Sequence, residues 1–346
     1  MTLDTATTSS TRPAAVVTRP ALPVRVGVVG AGEQASNHLL PALLRIPAVR
    51  VTALVDPDTS RREELADQLN IRHRLETIEQ VLDSGQVDCI VAACPPQAHE
   101  RIAAAAIQAH TPVFVEKPPA TSSTALTDLA AAAAANNVLT GVGMNFRWAA
   151  PVRRLATMLR DGRHGTPSVI TIRHVASKPT TSLWNLPVWQ SFLLAQAIHP
   201  IDLLTTLAGG DVVDTQAACR HTRDGITIAL QLHYSNGAIG TLICGNQAPR
   251  FEHRVEVTTT GGLTACLTNL TELAITPPTS PGEPRGATTQ WRPSPLDVGY
   301  ERTGFGGELA AFCHAVATGA TFTPGLSDLL STYQIMDQLT PAAGSR

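Results

Sequence analysis

Apolar residues are distributed along this chain in two textures. From Val24 to about Trp148, short continuous apolar runs alternate with longer stretches in which leucine and alanine recur at helical spacing. Beyond Trp148, β-branched runs follow one another closely. The first run, Val24 to Gly30 (VRVGVVG), is nearly unbroken, as expected of a strand buried on both faces of a parallel sheet. It opens directly into Gly30-Ala31-Gly32 and then a helical pattern with Leu39, Leu40, Leu43 and Leu44 on one side. The alternation continues with strands at Val49 to Val55, Val87 to Ala93, Val113 to Glu116 and Val138 to Val142. Helices are expected between them at Thr77 to Asp83, Gln97 to Ala109 and Ser122 to Asn136. Strands alternating with helices in this way predict an α/β doubly wound parallel sheet.

After a helix at Pro151 to Leu159, strands are expected at Val169 to Val175, Val212 to Cys219, Ile226 to Tyr234, Ala238 to Cys244, Phe251 to Thr259 and Leu263 to Leu267. Short turns such as Ser235-Asn236-Gly237 join some of them, so this second sheet is largely antiparallel and belongs to an α+β domain. The later half of Trp184 to Leu207 reads as a helix, Pro277 to Pro295 as a surface excursion, and helices at Gly306 to Thr318 and Leu326 to Leu339 close the chain. The expected organisation is a disordered tail over 1–23, a dinucleotide domain over 24–147 and a substrate-binding and oligomerisation domain over 148–346.

Composition narrows the partners. Charged residues are 16% of the chain and the net charge is −2, which leaves no basic footprint for nucleic acid or an anionic membrane. The partner is expected to be a small molecule. Six cysteines without a C-x-x-C pair read as reduced thiols of a cytoplasmic protein. Eleven histidines form no ligand motif, so no metal is expected. No apolar run approaches the ~18 residues of a membrane-spanning helix.

The candidate chemistry sits at strand ends. Gly30-Ala31-Gly32-Glu33-Gln34-Ala35 is G-x-G-x-x-A between a strand and a helix. Gly30 permits the tight turn, Gly32 lets backbone approach a pyrophosphate, and Ala35 lets helix pack on strand. Asp56 ends the second strand 24 residues beyond Gly32, where a carboxylate accepts from ribose hydroxyls and repels a 2′-phosphate. NAD is therefore expected; Arg61, beside Arg62, keeps NADP open. At Val113-Phe114-Val115-Glu116-Lys117-Pro118-Pro119 the apolar strand stops at an acid, a lysine and two prolines, which holds an ammonium at the carboxyl edge where open α/β sheets bind ligands.

These motifs resemble the Gfo/Idh/MocA oxidoreductase family, the glucose-fructose oxidoreductase and inositol dehydrogenase group, over nearly everything after the tail. GAGEQA is similar to its dinucleotide fingerprint, Cys94 to His99 (CPPQAH) to its T-P-x-x-x-H loop, and Glu116-Lys117-Pro118 to its E-K-P signature. Met144 to Trp148 (MNFRW) resembles its G-x-N-x-R-F segment, His199-Pro200-Ile201-Asp202 falls where it carries an active-site histidine, and GFGGELAAFCHAVATG looks like its closing helix. The resemblance implies a Rossmann domain followed by an open-faced sheet, a cis peptide before Pro118, and hydride transfer between NAD and an alcohol or carbonyl carbon.

Carried over by position, Lys117 is the proton donor or acceptor and His199 a neighbouring relay. Gly30, Gly32, Glu33, Gln34, Asp56, Arg61, Pro95, His99, Glu116 and Asn145 shape the cofactor site. A lysine with its ordinary pKa near ~10.4 is a poor base at neutral pH, so burial and a positive nicotinamide must lower it. One departure stands out: where polyol dehydrogenases of the family carry a carboxylate four residues before the histidine, this chain has Ala195. Gln196 remains on the histidine's face as a neutral group, and Asp202 lies one turn beyond. With Arg147, Trp184 and Trp189 these complete the expected substrate contacts. The implied activity is an NAD(P)-dependent oxidoreductase acting on a sugar, cyclitol or related keto compound. A cyclic imine reductase and a dinucleotide-sensing regulator are the alternatives, and the exposed sheet face suggests a homodimer or homotetramer.

Overall fold

The computed structural model describes residues 22–279, 286–339 and 341. Most of the tail expected over 1–23, and part of the surface excursion expected over Pro277 to Pro295, lie outside the described residues. The first domain is a six-stranded sheet of β1 (Val24–Val29), β2 (Val49–Val55), β3 (His73–Leu75), β4 (Cys89–Ala92), β5 (Val113–Glu116) and β6 (Thr140–Gly143). Its order is β3-β2-β1-β4-β5-β6 and each neighbouring pair is parallel. The order reverses between β1 and β4, which opens the crevice that places ligands at the carboxyl edge. β4 and β5 are buried at every position, the consequence of helices on both faces. β3 has no apolar run of its own and was not anticipated.

The second sheet comprises β7 (Pro167–Val175), β8 (Val212–Thr222), β9 (Gly225–Tyr234), β10 (Ile239–Gly245), β11 (Glu252–Thr259), β12 (Thr264–Thr268), β13 (Glu272–Thr276) and β14 (Thr289–Trp291). The order is β14-β13-β12-β11-β7-β10-β9-β8, antiparallel throughout except for the β7–β10 pair. The expected turn at Ser235-Asn236-Gly237 joins β9 to β10, with Gly237 at φ +85°. β13 and β14 add two strands that the expected pattern lacked, and β14 comes from the stretch read as a surface excursion. Along β11, His253, Val255 and Val257 face inward while Glu252, Arg254 and Glu256 face outward. On the outer face of the same sheet, Val169 and Ile243 are 43% and 40% exposed.

One expectation needs correcting. Residues Val188–Ala208 form a single helical stretch that is long and apolar enough by composition to cross a membrane, although no such run was expected. Most of it is buried inside the protein, packed against β7 and β10, so its apolar character is that of a core helix. The helix Phe305–Thr318 returns to the first domain, where the ring of Phe312 lies 5.5 Å from that of Phe114 in β5. Val142 of β6 donates to the Pro324 carbonyl at 2.8 Å, so the returning chain covers the sheet's free edge. The core of the first domain thus draws on both ends of the chain.

Candidate active site

The carboxyl edge of the first sheet gathers the turn after β1, Asp56 after β2, the loop after β4 and the Glu116-Lys117 pair at the end of β5. Gly30 sits at φ +101°, and a Cβ there would lie 2.3 Å from the Ala93 carbonyl oxygen, so no other residue fits the turn. A Cβ on Gly32 would meet nothing within 4 Å; the space before the following helix is open. Asp56 is 6% exposed; Oδ2 accepts from the Ala31 N–H and Oδ1 from the Asp58 N–H, both at 2.8 Å. One carboxylate therefore braces the glycine turn and stands at the ribose end of it.

Arg62 spends its guanidinium on the Asp56 carbonyl at 2.7 Å, while Arg61 is exposed and paired with Asp58 at 3.0 Å. Open room at Gly32, free backbone N–H groups at a helix start and a carboxylate at the second strand's end fit a dinucleotide with an unphosphorylated ribose. Glu33 is exposed on the turn and Pro95 is exposed at the start of the helix Pro96–Gln108.

His99 is wholly buried and ties two loops together. Its Nε2 accepts from the Cys94 N–H at 2.8 Å and its Nδ1 donates to the Pro118 carbonyl at 2.9 Å. Burial lowers its pKa to about 4, so the ring is neutral. The Lys117–Pro118 peptide that it holds is cis, in line with the resemblance.

Lys117, half-buried, forms the floor of a cavity of about 290 Å³ between the two sheets. Its Nζ donates to the Ala195 carbonyl at 3.1 Å. That carbonyl belongs to a single π turn, Leu193–Ala197, inside the long core helix, a kind of local widening frequent at functional sites. Burial lowers the lysine's pKa and Lys178 lowers it further, against the opposing charge of Glu116. Glu116 is buried with Oε1 unpartnered among the described residues, and burial pushes its carboxyl up to about 7. Gln34 reaches its side chain, and Asn145, whose amide donates to the Thr303 carbonyl at 2.8 Å, completes this wall.

The opposite wall is built by the second domain. His199 is 6% exposed and its ring stacks on Phe146 at 4.2 Å and 8°. Its buried Nδ1 has no partner among the described residues, and burial together with the charge of Lys117 holds its pKa well below the ordinary value. His174 and His253 lie opposite each other on β7 and β11, with their Nδ1 atoms 3.1 Å apart. His174 Nε2 is 3.1 Å from Gln196 Oε1. With both rings neutral, at pKa values of about 4 and about 3, one arrangement of protons satisfies the chain: His253 donates to His174, which donates to Gln196. The Gln196 amide N–H groups then remain available to the cavity.

Of the expected substrate contacts, only Gln196 lines this cavity. Arg147 and Asp202 are spent on each other in a two-point ion pair, Nε to Oδ2 at 2.7 Å and Nη2 to Oδ1, with Asp202 1% exposed. Trp189 donates Nε1 to the Leu339 carbonyl at 3.2 Å, and Trp184 packs on the core while its carbonyl accepts from Gln97. Phe146, His174, Lys178 and Phe251 line the cavity and were not anticipated. The alternation of β7 and β11 held the signal for His174 and its register partner His253, because each occupies an inward position otherwise filled by valine or isoleucine. A second, larger cleft of about 1680 Å³ lies at the opposite edge of the first sheet, around Arg25, Arg50 and Asp88, and shares no lining residue with the cavity at Lys117.

Fold and site together define a two-domain, dinucleotide-binding oxidoreductase. Residues 24–144 match the oxidoreductase family model with an NAD-binding Rossmann fold, residues 152–264 match the GFO/IDH/MocA C-terminal domain, and the chain belongs to the Gfo/Idh/MocA family. It is 34% identical to a dehydrogenase from Chromobacterium violaceum, whose crystal structure matches with a TM-score of 0.86 over 91% of this chain and 93% of that one. It is also 31% identical over 203 residues, 58% of each chain, to inositol 2-dehydrogenase 4 of Saccharopolyspora erythraea. The match to inositol 2-dehydrogenase 3 of the same organism is 27% over 317 residues, 88% of each chain.

Proposed function

We propose that this protein is an NAD-dependent oxidoreductase that interconverts a hydroxyl and a carbonyl on a sugar, cyclitol or related keto or hydroxy compound, with Lys117 as the proton donor or acceptor. The observation that carries this reading is the position of Lys117, an amine of lowered pKa lining the same cavity as Gln34 of the glycine turn and His199 of the second domain. When bound, the dinucleotide supplies or takes the hydride. The protein's own part is to hold the reacting oxygen within reach of Lys117 Nζ, whose ammonium gives a proton in the reducing direction and whose neutral amine takes one in the oxidising direction. The Ala195 carbonyl aims the amine, since it accepts one of its N–H groups. His199, neutral and stacked on Phe146, lines the cavity beside Lys117 as a second hydrogen-bonding group for the substrate. The Gln196 amide donates where a carboxylate would otherwise accept.

We place the enzyme in the cytoplasm, consistent with six free cysteines, and assemble it as a homodimer or homotetramer through the exposed sheet face. The test is transfer of label from deuterated NADH. Incubation with a panel of ketoses, inososes, 2-keto acids and cyclic imines should move deuterium to the carbon of a new alcohol. Transfer only to imine carbon, or NADH binding without any transfer, would remove the carbonyl reading.

A further inference from the structure

Only two lysines occur in the 346 residues, Lys117 and Lys178; the remaining basic residues of the Lys and Arg total are all arginine. Both lysines line the same small cavity. The chain meets every other need for a cation with arginine, including each of the ion pairs between described residues. An ammonium differs from a guanidinium in being a compact point charge with three rotatable donors, suited to a site too narrow for a planar fork.

Lys178 is held in place by its backbone and free at its tip. The Ala176 N–H donates to the Gly245 carbonyl at 3.0 Å, the Ala248 N–H donates to the Ala176 carbonyl at 3.0 Å, and Asn246 donates to the Pro179 carbonyl at 2.7 Å. The side chain itself is exposed at the cavity mouth and has no ion pair or hydrogen bond among the described residues. Two amines thus share one cavity, and the only carboxyl lining it is Glu116, which is buried behind Lys117 and accepts from the Lys117 N–H at 3.2 Å. The three nearby imidazoles are neutral and add no negative charge. An oxidised nicotinamide would make the cavity more positive still.

We propose that Lys178 binds an anionic group, a carboxylate or a phosphate, carried by the substrate that Lys117 turns over, so that the substrate is a small hydroxy or keto acid or a sugar phosphate and not a neutral polyol. This rests on the oxidoreductase reading above. A carboxylate or phosphate at Lys178 supplies the countercharge that the chain lacks there and leaves the reacting oxygen directed at Lys117.

The test uses the full chain saturated with NAD, so that the dinucleotide's own phosphates occupy the glycine turn. Malonate, inorganic phosphate and uncharged glycerol are titrated by calorimetry against the parent, Lys178→Gln and, as a control for loss of surface charge, Arg173→Gln. At least one of the two anions should bind saturably to the parent while glycerol does not, and the tighter of the two identifies the group. Lys178→Gln should weaken that anion about 10- to 100-fold, as expected for loss of a charged hydrogen bond, with NAD affinity and Tm unchanged, while Arg173→Gln should bind as the parent does. Equal anion affinity in Lys178→Gln, or no anion binding to the NAD complex, overturns the proposal alone. Failure of NAD to bind the parent overturns the oxidoreductase reading as well.

Discussion

Replacing Asp202 by asparagine removes a charge from one of the most enclosed positions in the chain. Asp202 and Arg147 are 1% and 15% exposed at their side chains, and their two-point pair joins the short helix Asn145–Trp148 to the core helix segment Ile198–Ala208. Those two elements carry Phe146 and His199, so the ion pair holds the stacked wall of the cavity. Removing one partner leaves a buried guanidinium without its countercharge, which costs about 3–5 kcal/mol. A chain with about 300 ordered residues has a melting entropy near 0.6 kcal/mol/K, so Tm should fall by about 5–8 °C. In a double-mutant cycle built from Arg147→Met, Asp202→Leu and the two combined, the double variant removes both charges and should recover much of either single loss, giving a coupling energy of roughly 2 kcal/mol or more. Differential scanning fluorimetry and urea titration read both quantities. Additive single-variant losses would refute the reasoning. So would an unchanged Tm with KM raised a hundredfold, which would return Asp202 to the substrate.

Two other perturbations follow from buried carboxyls. Asp56→Ala removes both the ribose acceptor and the brace on the Ala31 N–H, so the Kd for NADH should rise about 10- to 100-fold while that for NADPH changes far less; equal losses for both in a fluorescence titration would contradict the assignment. Glu308 is wholly buried with neither oxygen partnered among the described residues, and burial, followed by the charge of Glu116, raises its pKa well above the usual carboxyl range. A folded-state pKa above the unfolded value near ~4.3 gives stability that is full below that pH and lost as pH rises through the folded value. Glu308→Gln should therefore gain Tm over the parent at pH 8 and not at pH 4, and a difference independent of pH would show that Glu308 does not titrate.

Most of the fold was legible because its signals are local. The unbroken run before Gly30, the glycine turn, Asp56 at the end of β2 and the hairpin at Asn236-Gly237 each state their structure within a few residues. What could not be read depends on partners distant in the chain. Arg147 and Asp202 lie 55 residues apart, and nothing in either segment reveals that each neutralises the other. Trp184 and Trp189 could have served stacking or packing, and packing took them because neighbouring elements supplied a carbonyl for one and a core surface for the other. β3, β13 and β14 are short and carry little apolar pattern, so they exist only through pairing with longer neighbours. His174 and His253 were visible as inward polar positions, but their meeting required the register of β7 against β11. The two lysines were countable from the start, and only the fold brings them into one cavity.

The central claim is that Lys117 handles the substrate proton without holding the dinucleotide. Single-turnover mixing of Lys117→Met with NADH and the preferred carbonyl substrate, followed by NADH absorbance, tests it most directly. The account predicts an NADH Kd within about threefold of the parent and hydride transfer slowed by roughly 10²- to 10⁴-fold, the usual contribution of a positioned general acid. Transfer at the parental rate, or loss of NADH binding in place of loss of transfer, would contradict it.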